Sequence, residues 1–201
     1  MQKFILNEEM QKYIKLQRTN LRDNIESRYY KNVEDDYVGI ISHLNNYTSV
    51  LDIGCGIAGI DYFLGHRNPS AEIYLMDTTG TDAKIYYGYQ KRGSFYNSLE
   101  LAKDFLRDNE VENKITVINV EGKYELPETV DLVISLISWG FHYPVETYLA
   151  QVDKILAKDG IVICDIRKGA YMDSVNAFTK LGYSFQVICE REKYLRMKFK
   201  K

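Results

Sequence analysis

The run Val50-Leu51-Asp52-Ile53-Gly54-Cys55-Gly56-Ile57-Ala58-Gly59-Ile60 has the residue types and spacing to grip a nucleotide-like cofactor. An apolar, β-branched stretch ends in an acid and then in a G-x-G-x-x-G turn, the pattern of a strand feeding a tight loop that opens a helix. Glycine has no Cβ, so the chain can turn with positive φ and a ligand can lie on bare backbone, facing the free N–H groups of the new helix. A second apolar run, Glu72 to Met76, ends at Asp77. That is about 20 residues past the turn, where a carboxylate can receive the hydroxyls of a sugar. Asp52, two residues ahead of Gly54, is either a ligand contact or a buried acid that caps local amides.

Another apolar run leads into Ser135-Leu136-Ile137-Ser138-Trp139-Gly140-Phe141-His142-Tyr143-Pro144, which sets an imidazole among aromatic rings. Imidazole suits proton transfer near neutral pH, so His142 is the candidate catalytic base, with a helix cap or structural hydrogen bond as its plainer role. Trp139 and Tyr143 fit either stacking on an acceptor ring or ordinary core packing. The chain has 17 tyrosines, and most must be packing. Those placed to reach an acceptor are Tyr86, Tyr87 and Tyr89 in a long loop and Tyr29 and Tyr30 in an N-terminal helix, with Tyr30 and Tyr87 as the leading pair. Arg28 and Arg92 near them could pair with an anionic acceptor, although surface arginine is the commoner role. His43 and His66 have no such setting and are read as structural.

A sheet must bring these residues together. Residues 3–17 and 20–46 are amphipathic at helical spacing and put two helices ahead of the first strand, 49–53. A short helix over 57–65, a strand from Glu72 to Asp77 and an irregular stretch over 78–94 follow; the last is long for a βα loop and reads as a functional loop or lid. A helix over 95–109 capped by Ser94, strands over 114–120 and 130–136, and a helix over 145–158 stopping at Asp159-Gly160 continue the alternation. A strand over 161–165 and a helix over 170–181 ending at Gly182 lead to two last runs, 183–190 and 194–200. The link between them is too short for a parallel crossover, so they pair antiparallel. The expected fold is α/β: a doubly wound, seven-stranded, mainly parallel sheet with a C-terminal antiparallel strand and an N-terminal helical extension. Residues 1–201 form one domain, in which 1–46 cover the active site and 47–201 form the cofactor-binding core.

Leu51-Asp52-Ile53-Gly54-Cys55-Gly56, the acid at Asp77 and the closing hairpin together resemble the class I S-adenosylmethionine (SAM)-dependent methyltransferases, over roughly residues 49–200. Stretches 98–120 and 152–165 are also similar to that family's second helix with its following strand and to its fifth-strand unit. The resemblance implies SAM as cofactor, with Gly54 and Gly56 beside its methionine and ribose parts and Asp77 on the ribose hydroxyls. A residue after the third strand would approach the adenine. Many relatives have Asp-Ala there, whereas this chain has Asn119-Val120-Glu121-Gly122, which makes Glu121 the candidate. Asp52, Cys55, Thr78 and Ser135 complete the candidate cofactor contacts. The wording around His142 is similar to small bacterial enzymes that decorate sugars or surface polysaccharides. The implied activity is methyl transfer to an oxygen of a small molecule. Methylation of an amine or of a phosphoryl or phosphoramidate oxygen, and a noncatalytic partner subunit, stay open as alternatives.

Composition narrows the partners. The 201 residues are 45% hydrophobic, enough for one full core. Lys+Arg of 26 against Asp+Glu of 28 leave a net charge of -2, so no positive field gathers nucleic acid or an anionic membrane. The one local exception is the basic tail Lys193, Arg196, Lys198, Lys200 and Lys201, which reads as the solvated face of an edge strand. The Asn/Asp-Pro-Pro-aromatic signature of amino-methylating enzymes is missing after the fourth strand. A nicotinamide dehydrogenase is disfavoured because no substrate domain accompanies the loop. Cys55, Cys164 and Cys189 suggest neither a disulfide framework nor a zinc site. No metal is expected, although Asp82 and Asp165 could meet in space. No stretch approaches the ~20 apolar residues of a membrane span. A cytoplasmic location fits, and the oligomeric state is not specified.

Overall fold

In the first strand, β1 (Ser49–Ile53), Val50 packs into one core layer and Leu51 and Ile53 into another. Successive residues Val50 and Leu51 are both apolar because a parallel strand covered on both faces has no solvent side. The computed structural model describes residues 3–17, 23–80 and 97–201 and places β1 in a seven-stranded sheet. The other strands are β2 (Glu72–Asp77), β3 (Ile115–Asn119), β4 (Val130–Ser135), β5 (Leu156–Arg167), β6 (Ser184–Glu190) and β7 (Tyr194–Lys200). Their spatial order is β3-β2-β1-β4-β5-β7-β6; β7 runs antiparallel to both of its neighbours, and the remaining pairs are parallel. This is the expected doubly wound α/β architecture. Strand order reverses between β1 and β4, which opens a crevice at their carboxyl ends.

Helices cover both faces. On the Val50 side lie α1 (Glu8–Gln17), α2 (Ile25–Ile40), α3 (Gly59–Arg67) and α4 (Leu99–Asp108), whose inward residues join one core cluster. Phe4 is central to it, with the rings of Tyr29, Tyr30, Tyr62 and Phe105 at 5.0–5.7 Å. Residues before α1 are tied down by Asn109, which accepts from Ile5 N–H at 2.5 Å and donates to Ile5 C=O at 2.9 Å. On the other face α5 (Leu149–Ile155) and α6 (Tyr171–Lys180) bury Leu149, Val152, Val175 and Phe178. Gly182, with φ 87°, ends α6 as its spacing predicts. Among the described residues no helix is long and apolar enough to cross a membrane.

Three expectations change. The helix over 145–158 is a 3-10 turn, Val145–Thr147, followed by α5, which ends at Ile155 because Leu156 already pairs with Val130 of β4. Gly160 lies inside β5 and is no helix cap; a Cβ there would meet Ala157 O and Asp131 O, each at 3.0 Å, so it serves close backbone approach at an irregular pairing. The helix expected from 95 begins at Leu99, where Ser98 Oγ accepts Leu101 N–H at 3.1 Å. Ser94 lies outside the described residues, as do Asp82, Tyr86, Tyr87, Tyr89 and Arg92. The basic tail is no edge: β7 lies between β5 and β6, and Arg196 is fully buried directly across from Asp165.

Candidate cofactor site

The turn after β1 is built from left-handed residues. Gly54 (φ 79°), Gly56 (φ 57°) and Ala58 (φ 61°) reverse the chain, and α3 begins at Gly59. The third glycine of the motif is thus not a turn residue. A Cβ on Gly59 would lie 2.5 Å from the Tyr29 hydroxyl, so its bareness lets α2 pack closely on α3. The left-handed position falls on Ala58, where an L side chain costs ~1–2 kcal/mol and its buried methyl returns ~0.8 kcal/mol. Ala58→Gly should therefore raise stability by about 0.2–1.2 kcal/mol. Urea denaturation checks this, and a lower midpoint would contradict it.

Asp77, at the end of β2, braces this turn. Gly56 N–H donates to its Oδ2 at 3.0 Å and Thr78 N–H to its Oδ1 at 2.7 Å, while Gly54 N–H donates to Met76 C=O at 2.7 Å. Burial pushes its carboxyl up to about 6, against the opposing pull of these amides. The Asn97 side chain stands beside it and is itself hydrogen-bonded by the Tyr13 hydroxyl of α1. Glu121 follows β3 in an exposed turn, with its N–H on Asn119 Oδ1 at 2.9 Å, and Val120 N–H donates to Asp77 C=O at 3.0 Å.

The segment after β4 closes the other side. Ser135 Oγ donates to Ile53 C=O at 2.6 Å and accepts Trp139 N–H at 2.9 Å, so its hydroxyl joins two strand ends and is fully buried. Ile137 is left-handed at φ 56°, a strained conformation for a β-branched residue, and its N–H is held by Asp165 Oδ2 at 3.2 Å. Ser138 lies on Gly54 so closely that a methyl group there would overlap its Oγ and Cβ. Its hydroxyl is 3.1 Å from that of Tyr143, and burial raises the Tyr143 phenol, keeping it neutral.

The structure thus gathers Asp52, Gly54, Cys55, Gly56, Asp77, Thr78, Glu121 and Ser135 at the carboxyl ends of β1 to β4, with Tyr143 reaching Gly54 through Ser138. His142 is half-buried in the same segment, its N–H on Ser138 C=O at 2.8 Å and its ring edge-on to Phe141. Trp139 is instead wholly buried beside Phe178, with its indole N–H on Val145 C=O at 2.7 Å. Tyr30 is buried between Phe4 and Phe63 in the helical layer. Both belong to the core, where Trp139 meets the rings of Tyr148 and Phe178 and Tyr30 those of Phe4 and Phe63. Tyr87 lies outside the described residues. Two neighbours of the site carried no distinct sequence signal: Ser138 is one small polar residue among several, and Asp61 looks like the acid common in a helix's first turn. Among the described residues no group of three or more His, Cys, Asp or Glu could hold a metal ion.

No family model matches this chain, and no curated protein matches its sequence. Solved structures do share its fold. A precorrin-6y C5,15-methyltransferase from Geobacter metallireducens GS-15 aligns with TM-score 0.62 at 16% identity, over 86% of this chain and 88% of that one. StiE O-MT aligns with TM-score 0.64 at 14% identity, over 93% and 80%. M. jannaschii TYW2, solved in complex with AdoMet, aligns with TM-score 0.55 at 14% identity, over 85% and 76%. The chain therefore has the Rossmann-like fold found in these methyltransferases.

Proposed function

We propose that this chain is a SAM-dependent methyltransferase acting on an oxygen of a small molecule, with sugars or surface-polysaccharide precursors as the acceptor class. The observation that carries the reading is Asp77: a carboxylate at the end of β2, braced against the left-handed turn after β1, at the point where strand order reverses. The residues present fit such a cofactor. Gly54 and Gly56 offer backbone without side chains, and Asp77 presents beside them a carboxylate already oriented by the Gly56 and Thr78 amides, the acceptor that ribose hydroxyls need. The neighbouring structures with related folds are named for carbon and O-methyl transfer or hold AdoMet.

When bound, SAM supplies an activated methyl group on a sulfonium leaving group. The chain's part is then chiefly positioning, which can supply ~7–11 kcal/mol of the barrier. Asp77 would hold the ribose, Glu121 would meet the adenine edge, and the turn from Gly54 to Gly56 would carry the methionine arm. What supports an oxygen acceptor is His142, which shares with Ser138 and Tyr143 the segment over Gly54 and is suited to accept a hydroxyl proton. Tyr13, through Asn97, connects α1 to Asp77 and supports the N-terminal helices as the cover of this crevice.

Asp77→Asn should weaken SAM binding about tenfold to a hundredfold, since a hydrogen bond to a charged group is worth ~1.5–3 kcal/mol. In the wild-type protein affinity should fall as pH drops through about 6, where Asp77 takes up its proton. Stability of the ligand-free protein should move the other way. The folded state binds this proton more tightly than the unfolded chain does, so stability rises as pH falls from about 7 toward 5. Calorimetric titration at several pH values, with thermal melts alongside, checks both. Undiminished affinity in Asp77→Asn, or no binding by the wild type, would refute the reading.

A further inference from the structure

Asp61 stands three residues past Ala58, the last left-handed residue of the turn. It is completely buried in the first turn of α3, and among the described residues no donor reaches either of its carboxylate oxygens. Nor does it cap the helix, whose N-terminal boundary is Ala58. The group its carboxyl faces is a second one, that of Asp52 on β1, equally buried, and the charge of Asp77 reaches the same place. None of the ion pairs among the described residues involves these three acids. Among the described residues the one buried arginine, Arg196, is committed to Asp165 and Asp36. Two carboxylates buried side by side cost the fold more than an apolar or amide pair would. Such a pair makes sense under a ligand that brings its own positive charge.

We propose that Asp61, together with Asp52, makes the floor of the glycine turn anionic, so that the site favours a cofactor with a positively charged sulfonium over its neutral thioether product. This rests on the cofactor reading above. SAM carries one positive charge more than S-adenosylhomocysteine (SAH), and the two are otherwise nearly the same shape. Contacts to ribose, adenine and the amino-acid end bind both alike, so only a charge near the sulfur tells them apart. Asp61 is then a specificity-determining residue that speeds exchange of product for fresh cofactor, and it acts by field and not by contact.

The test is calorimetric titration of the wild-type protein and Asp61→Asn with SAM, SAH and sinefungin, which carries a protonated amine in place of the sulfonium, all at pH 7.5. The ratio of the SAH Kd to the SAM Kd should fall about threefold to tenfold in Asp61→Asn, as removal of one unit charge several ångströms away in a partly hydrated site predicts. Sinefungin should follow SAM. Asp61→Asn should melt at or above the wild-type temperature, and Asp61→Ser repeats the measurement if the amide fails to fold. An unchanged ratio, or an equal loss for all three ligands, overturns this inference and leaves the cofactor reading standing. Failure of the wild type to bind any of the three overturns both.

Discussion

Replacing Arg196 by Met should destabilise the protein by about 3–5 kcal/mol at neutral pH, because it strands a buried carboxylate. The guanidinium grips Asp165 with both arms, Nε to Oδ1 at 2.7 Å and Nη2 to Oδ2 at 2.9 Å, and reaches Asp36 of α2 at 2.9 Å. Asp165 and Arg196 are both fully buried, so water cannot replace the lost partner. Even with Arg196 in place, burial holds the Asp165 carboxyl above its ordinary range, and without the cation it must go higher still. The penalty should accordingly shrink as the solution is acidified and Asp165 takes a proton. Urea denaturation of the single variant at pH 7.5 and 5.5, beside Arg196→Met with Asp165→Asn, checks this. The double variant should recover much of the loss, and two simply additive losses would show that the pair does not act as a unit.

Gly54→Ala should cost about 2–5 kcal/mol, the sum of ~1–2 for a left-handed L residue and ~1–3 for overpacking. The two terms have different remedies. The backbone term is fixed by φ 79° and stays whatever the surroundings. The packing term comes from Ser138, whose Cβ as well as Oγ would overlap the new methyl, so Ser138→Ala should relieve little and Ser138→Gly more. Thermal melts of Gly54→Ala alone and with each second change measure the split. Equal rescue by Ala and Gly at 138 would place the clash at the hydroxyl alone. Because Ser138 also carries the hydrogen bond to Tyr143, displacing it should disturb the acceptor side together with the turn.

Local signals carried most of the architecture. The strand from 49 to 53 is a bounded apolar run, and the short link between the last two runs left antiparallel pairing as the only geometry. What failed was non-local. Leu195, Met197 and Phe199 alternate with cations, which reads as one dry and one wet face, yet α2 covers the second face and Asp165 sits opposite Arg196. No residue near 196 announces that partner 31 positions earlier. Leu156 fits the helical spacing of Leu149 and Val152, so only its pairing with Val130 shows that the strand has begun. At the site, the glycine pattern located the turn, but nothing in it marks Ala58 as the third left-handed residue. Asp61 was hidden for another reason: an acid in the first turn of a helix is what the macrodipole favours, and nothing in the string says that this one is sealed from water.

The position of β7 bears on how the molecule is born. During vectorial synthesis the strands on either side of it, β5 and β6, are made first and must wait for a partner that leaves the ribosome after both. Until then Asp165 and Asp36 lack their cation and the growing sheet keeps an open hydrogen-bonding border, the kind of surface that chaperones shield and that aggregates otherwise exploit. Release of residues 194–200 from the exit tunnel is therefore the event that lets the nascent chain lock shut.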